Sequence, residues 1–318
     1  MKNNKNPKLI LLIIAISIFA AYFIISSLME GGIINSYYGG IIILVCINIV
    51  LAVSLNLVVG FTGQLALGHA GFMSIGAYVS AYMSVHYKLP FIIVLIAGGL
   101  VAGLMSLVIG IPTLKLKGDY FAITTLAFGE IIKGIIMNTD AVGGARGLSR
   151  IPKHTNFTWV FAIMTVTIIV VYNIIHSSQG RAMISVRENE IAAEAMGVNT
   201  FKYKVIAFII AAFFAGVAGG LFAHQQMFIQ PQSFDFMKSI EILTFVVFGG
   251  MGSLSGSVLA TIILTFLPEY LRGLKDLKNI IYPIALIVLM IFRPQGLLGT
   301  KEISLKVFSN LFNKRKEA

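Results

Sequence analysis

Few residues of this chain are of a type and spacing that could do chemistry. Glu130 and Lys133 lie three apart inside an apolar run, so on a helix they meet across one turn. There they either neutralise each other or line a path for a polar solute, because a charge at membrane depth costs about 2.5–3.5 kcal/mol on insertion scales without a partner or water. Lys238 and Glu241 repeat the spacing near the start of another run and read as a pair close to an interface. His69, in the stretch LGHAG (67–71), either hydrogen-bonds exposed backbone or contacts a solute, and Gln64 carries the same two readings.

No other chemistry is concentrated anywhere. The histidines (His69, His86, His154, His176, His224) and the aspartates (Asp119, Asp140, Asp235, Asp276) are scattered, which disfavours a metal-dependent lipid transferase. Neither a G-x-x-x-x-G-K-[ST] phosphate loop nor an H-E-x-x-H occurs, so the chain is not expected to hydrolyse ATP by that route, and no cofactor or metal is expected. The lone Cys46 reads as a small buried hydrophobe. Proton-driven carriers relay through intramembrane carboxylates, and this chain nearly lacks them. Its energy is therefore expected from a partner, with sodium coupling through backbone carbonyls left open.

The elements that position these residues are apolar helices. Only 12% of the residues are charged, half the share of an average globular chain, so the bilayer must be the solvent for most of the protein. That excludes a soluble enzyme, a disulfide scaffold and a single-span receptor with a folded ectodomain. The net charge of +11 is explained by basic cytoplasmic loops meeting anionic lipid, not by nucleic acid. Apolar windows fall at 9–29, 40–59, 65–85, 91–111, 119–138, 157–175, 205–224, 237–251, 254–271 and 279–292. The first is too long for the core of a signal peptide and is read as a retained helix.

These windows predict an all-α polytopic membrane protein of about ten transmembrane helices, in the cytoplasmic membrane with both termini cytoplasmic. A basic amino terminus (1–8) leads into a transmembrane domain (9–292) with a cytoplasmic loop at 176–204, and a basic tail (293–318) follows. The window 237–251 is short and is kept as a short or tilted crossing. Arg146, Arg150 and Lys153 fall in a loop this topology places outside, against the usual charge bias.

Two glycine-rich breaks look alike, VGFTGQLALG (59–68) and FGGMGSLSG (248–256), and point to two similar halves. Their unwound backbone, with Gly249, Gly250 and Gly252, either binds substrate near the midplane or merely permits tight turns. The small-residue ladders Ala211, Ala215, Gly219, Ala223 and Ala212, Gly216, Gly220 predict close helix packing, as do Gly76, Ser80 and Ser84.

The loop at 176–204 is the most informative segment. Ser185 and Glu188 fit a capping box and Gly197 fits a helix terminator, which predicts one helix over Val186–Met196. On that helix Arg187, Glu190 and Glu194 share one arc, while Val186, Ala192, Ala193 and Met196 form a smooth arc opposite. So short a helix is marginal alone, and its alanine face is expected to dock in a groove of another protein.

These residues resemble the coupling loop of ABC-importer permeases, whose general pattern is Glu-Ala-Ala, three variable residues, then Gly. Ile191 stands where the motif glutamate belongs, Glu190 lies one residue early, and the later Leu-Pro is absent. The departures fit the branched-chain amino-acid subgroup, which is also resembled by the stretches 56–78, 118–127, 249–256 and 292–298. The resemblance implies the ABC importer permease fold and a role in importing leucine, isoleucine and valine. It further implies a second, LivH-like permease, two cytoplasmic ATP-binding subunits and an extracytoplasmic substrate-binding protein as partners. Permeases for urea or other amino acids are similar in sequence, and a self-sufficient secondary carrier is the alternative of a different class.

Overall fold

The computed structural model describes residues 7–115, 119–271, 284, 287, 291 and 296–299, with side-chain surroundings from residue 18 onward. The window 279–292, the tail 293–318 and most of the amino terminus 1–8 lie outside the described residues, apart from the positions just named. The other nine windows each form a helix: α1 (Pro7–Glu30), α2 (Ser36–Val59), α3 (His69–Tyr87), α4 (Phe91–Thr113), α5 (Tyr120–Met137), α6 (Phe157–His176), α9 (Thr200–Gln226), α10 (Phe236–Gly249) and α11 (Leu254–Tyr270). Two further helices, α7 (Ser178–Glu188) and α8 (Glu190–Ala195), occupy the loop between α6 and α9. Among the described residues there is no strand, only an isolated antiparallel bridge between Leu148 and Ile229.

Five helices (α2, α4, α5, α6 and α9) are long and apolar enough to cross a membrane. They divide by burial. The apolar stretch of α2 is 83% buried and that of α9 67%, against 22% for α6, so α2 and α9 form the centre and α6 the rim. On α4 the exposed residues Ile92, Ile96, Leu100, Leu104 and Val108 recur every four positions. So continuous an apolar stripe on a chain of this composition belongs against hydrocarbon, where every backbone group is satisfied inside the helix. Phe91, at the start of α4, turns inward and packs on His154, Trp159 and His224.

The central packing is made by missing side chains. A Cβ on Gly76 of α3 would lie 2.0 Å from the Gly216 carbonyl oxygen of α9, so these backbones touch where the small-residue ladders meet. Without a hydrophobic drive between helices in lipid, such van der Waals contact holds them together.

The short α10 starts partway along α5. Its first amide, that of Phe236, donates to Glu130 Oε1 at 3.2 Å, and Glu130 is the eleventh residue of the eighteen in α5. That places the beginning of α10 roughly 10 Å in from the far end of α5, at about 1.5 Å per residue. The 14-residue length of α10 follows from this inward start.

Candidate functional site

α7 is anchored before it reaches the site. The Ser177 side chain caps it by accepting from the Gly180 amide, and Met183 is buried in a cluster with Leu57, Val171, Ala207 and Leu254. Arg187, in its last turn, then extends to the first glycine-rich break. Its Nη1 donates to the Gly60 carbonyl at 2.9 Å, while Nε and Nη2 bond Glu188 Oε1, the former at 3.1 Å. Gly60 caps the carboxyl end of α2, where a cation complements the helix dipole.

The seat of Arg187 is glycine from both breaks. A Cβ on Gly63 would lie 3.1 Å from Arg187 Cγ, and one on Gly252 would lie 2.6 Å from Nη1. Both glycines have left-handed backbone, φ +72° and φ +87°, which other residues adopt at a cost.

Asn56, one turn before Gly60, fastens the second break to the first. It is fully buried, and its Nδ2 donates to the Ser253 carbonyl and to Ser257 Oγ, each at 2.9 Å. Its Oδ1 accepts from the Gly252 amide at 3.0 Å. The two breaks, alike in sequence, are therefore neighbours in space. Gly249 packs against Gly256, and Gly250 lies under residues 296–299, with the Leu297 amide donating to the Phe248 carbonyl at 2.8 Å.

The remaining sequence-identified residues are held elsewhere. His69, at the start of α3, is buried and hydrogen-bonded through Nε2 to Ser54 Oγ at 3.0 Å. Gln64 has a buried Oε1 without a hydrogen-bond partner among the described residues. Glu130 bonds Lys133 at 3.2 Å as the spacing predicts, and it also holds the start of α10. Lys238 pairs with Glu241 at 2.9 Å and reaches Asn48 of α2 at 3.4 Å.

The loop departs from expectation. In place of one helix over 186–196, the chain breaks at Asn189, whose extended backbone separates α7 from α8 and whose side chain caps α8 by accepting from the Ala192 amide at 3.0 Å. Ser185 is no cap; its Oγ donates back to the Ala182 carbonyl inside α7. The break also changes the faces. Ala193 and Val186 are buried, while Ile191 and Met196, 80% and 84% exposed, flank Ala192 and Ala195 on the outside. Glu190 and Glu194 turn to the start of α9, where Lys204 Nζ lies 2.5 Å from Glu190 and Thr200 Oγ1 donates to Glu194 at 2.7 Å. Gly197 ends the segment with φ +83°.

Residues 37–292 match the family described as the branched-chain amino acid transport system permease component. The chain belongs to that family. Among relatives of this permease, LivM of Salmonella typhimurium is 34% identical, over 74% of this chain and 64% of its own length. LivM of Escherichia coli K12 is 35% identical, over 74% and 63%. The permease thus spans less than two thirds of the length of these relatives. LivH of the same E. coli strain is 28% identical over 46% of this chain and 47% of its own. All three are described as high-affinity branched-chain amino acid transport system permease proteins.

Asn56 opens the family-like stretch 56–78, yet no motif spacing marks it as a contact between the two breaks. An asparagine inside an unbroken apolar helix is the signal that could have found it, since such a group must find a partner.

Proposed function

We propose that this chain is a permease subunit of an ATP-driven importer that carries leucine, isoleucine and valine across the cytoplasmic membrane. It works with a second, LivH-like permease, two cytoplasmic ATP-binding subunits and an extracytoplasmic substrate-binding protein. The carrying observation is the α7–α8 loop of a family member. One face of α8 is anchored by Ala193 and two carboxylates, and the other presents Ile191, Ala192, Ala195 and Met196 to whatever docks there. In this reading that end of the bundle is cytoplasmic, and nucleotide-driven closure of the ATP-binding subunits moves α7–α8, rocking the bundle between two access states.

The test is purification of the tagged chain in mild detergent with identification of co-purifying proteins, followed by uptake of radiolabelled leucine, isoleucine and valine into vesicles. The expected result is recovery of a second permease and ATPases, with uptake dependent on ATP. A chain recovered alone that transports without ATP would overturn the importer reading in favour of a secondary carrier. ATP-dependent uptake of urea and not of these amino acids would overturn the substrate.

A further inference from the structure

We infer that Arg187 is the positioning residue that passes movement of the α7–α8 loop to the core helices, by holding the two glycine-rich breaks as one unit. This rests on the importer reading and deepens it.

The contacts define a short mechanical path. α7 is tied by Met183 into an apolar cluster, a contact without direction that tolerates sliding. Arg187 differs, because its bond to the Gly60 carbonyl is charge-assisted and fixes both distance and angle. Glu188, next in sequence, takes Nε and Nη2, so the guanidinium is oriented from one side and spent on Gly60 from the other. Gly60 caps α2, and Asn56 in the last turn of that helix grips Gly252, Ser253 and Ser257. A displacement of Arg187 therefore reaches α2 directly and the α10–α11 junction one hydrogen bond later.

The glycines supply an independent observation. Gly63 and Gly252 come from separate breaks, both with left-handed backbone; a Cβ on Gly63 would meet Arg187, and one on Gly252 would meet Arg187 Nη1 at 2.6 Å and the Gly60 carbonyl at 3.1 Å. Gly252 faces the guanidinium and Gly63 the aliphatic stem, so the seat fits the whole side chain and not only its charge. Among the described residues no glycine is seated in this way against Lys202 or Arg181 of the same loop.

The experiment uses the complete complex, with wild type, Arg187→Lys, Arg187→Ala, Gly252→Ala and Glu188→Gln. The readout is leucine taken up per ATP hydrolysed, normalised to the complex recovered. Arg187→Ala is expected to lower this ratio by about tenfold, the usual size of a coupling term. Gly252→Ala is expected to do the same with the arginine still present, since it evicts Nη1. Arg187→Lys, which can reach Gly60 but cannot also bond Glu188 in a fork, should fall between, and so should Glu188→Gln, whose amide oxygen still accepts from the guanidinium but no longer pairs with its charge. Where Arg187→Ala yields no complex, the lysine variant decides. An unchanged ratio in Arg187→Lys and Gly252→Ala overturns the inference while leaving the importer reading intact. Absence of any ATPase from the wild-type preparation overturns the importer reading, and this inference with it.

Discussion

Asn56 and Gly252 stand 196 positions apart in the chain and meet through a 3.0 Å hydrogen bond from the Gly252 amide to the Asn56 side-chain oxygen. Asn56 Nδ2 donates to the Ser253 carbonyl and to Ser257 Oγ, so one side chain sets the spacing between α2 and the turn that joins α10 to α11. A polar residue is tolerated at so buried a place because three of its hydrogen bonds are made inside the protein.

Replacing Asn56 by alanine leaves the Gly252 amide without its buried acceptor. The expected loss is about 1–3 kcal/mol of stability, the penalty of an unsatisfied buried group. Thermal unfolding of the purified protein in detergent measures it. A melting curve unchanged from wild type would mean that the clamp is replaced by water or by a shifted backbone.

Gly76→Leu and Gly134→Ala form a contrasting pair. The first forces a side chain into the Gly216 carbonyl and should cost at least about 1–3 kcal/mol through overpacking, seen as lost folded yield. The second adds a methyl where nothing lies within 4 Å, on an α5 helix that gains about 0.5–1 kcal/mol from alanine over glycine. Equal yields of the two variants would contradict the close approach of α3 and α9.

Hydropathy and length made the helices legible, since nine apolar windows became helices with ends shifted by only a few residues, five of them long and apolar enough to cross a membrane. Long-range contacts were not legible in that way. The breaks at 59–68 and 248–256 could be paired by likeness, yet that Asn56 and Arg187 join them depends on how α2, α7 and α10 pack. The loop at 176–204 departs from its sequence pattern for a local reason. Two N-cap signals compete there, Ser185 before Glu188 and Asn189 before Ala192, and only backbone geometry decides between them. Asn189 takes the extended conformation and wins, which rotates α8 and exchanges Ala193 for Ile191 on the outer face. The short α10 was recognised, but its inward start was hidden because the residue it meets, Glu130, is 106 positions away.

Glu130 serves two partners, and neither requires it to carry a proton. Glu130→Gln keeps an oxygen to accept from the Phe236 amide and loses only the attraction to Lys133. Uptake per folded chain should fall by less than about fivefold, the worth of an exposed ion pair. A loss of two orders of magnitude at wild-type yield would instead place Glu130 on the transport path.

The attachment of α8 can be separated from what α8 presents. Lys204 is nearly buried but its partner Glu190 is half-exposed, so Glu190→Gln alone should cost only about 1 kcal/mol. Adding Lys204→Met removes the unpaired charge and should recover most of that loss, because the buried position then holds an apolar side chain. Ile191→Asp and Met196→Asp act differently. Both side chains point away from the bundle, so folding and melting temperature should stay at wild type while recovery of the ATP-binding subunits falls by about tenfold or more, since a carboxylate is placed in an apolar contact. Stability and partner binding then move independently: the Glu190 variants change the first, and the Ile191 and Met196 variants change the second. If the aspartate variants retain the ATP-binding subunits in full, the outer face of α8 is not where they dock, and the docking surface must be sought along the exposed residues of α7.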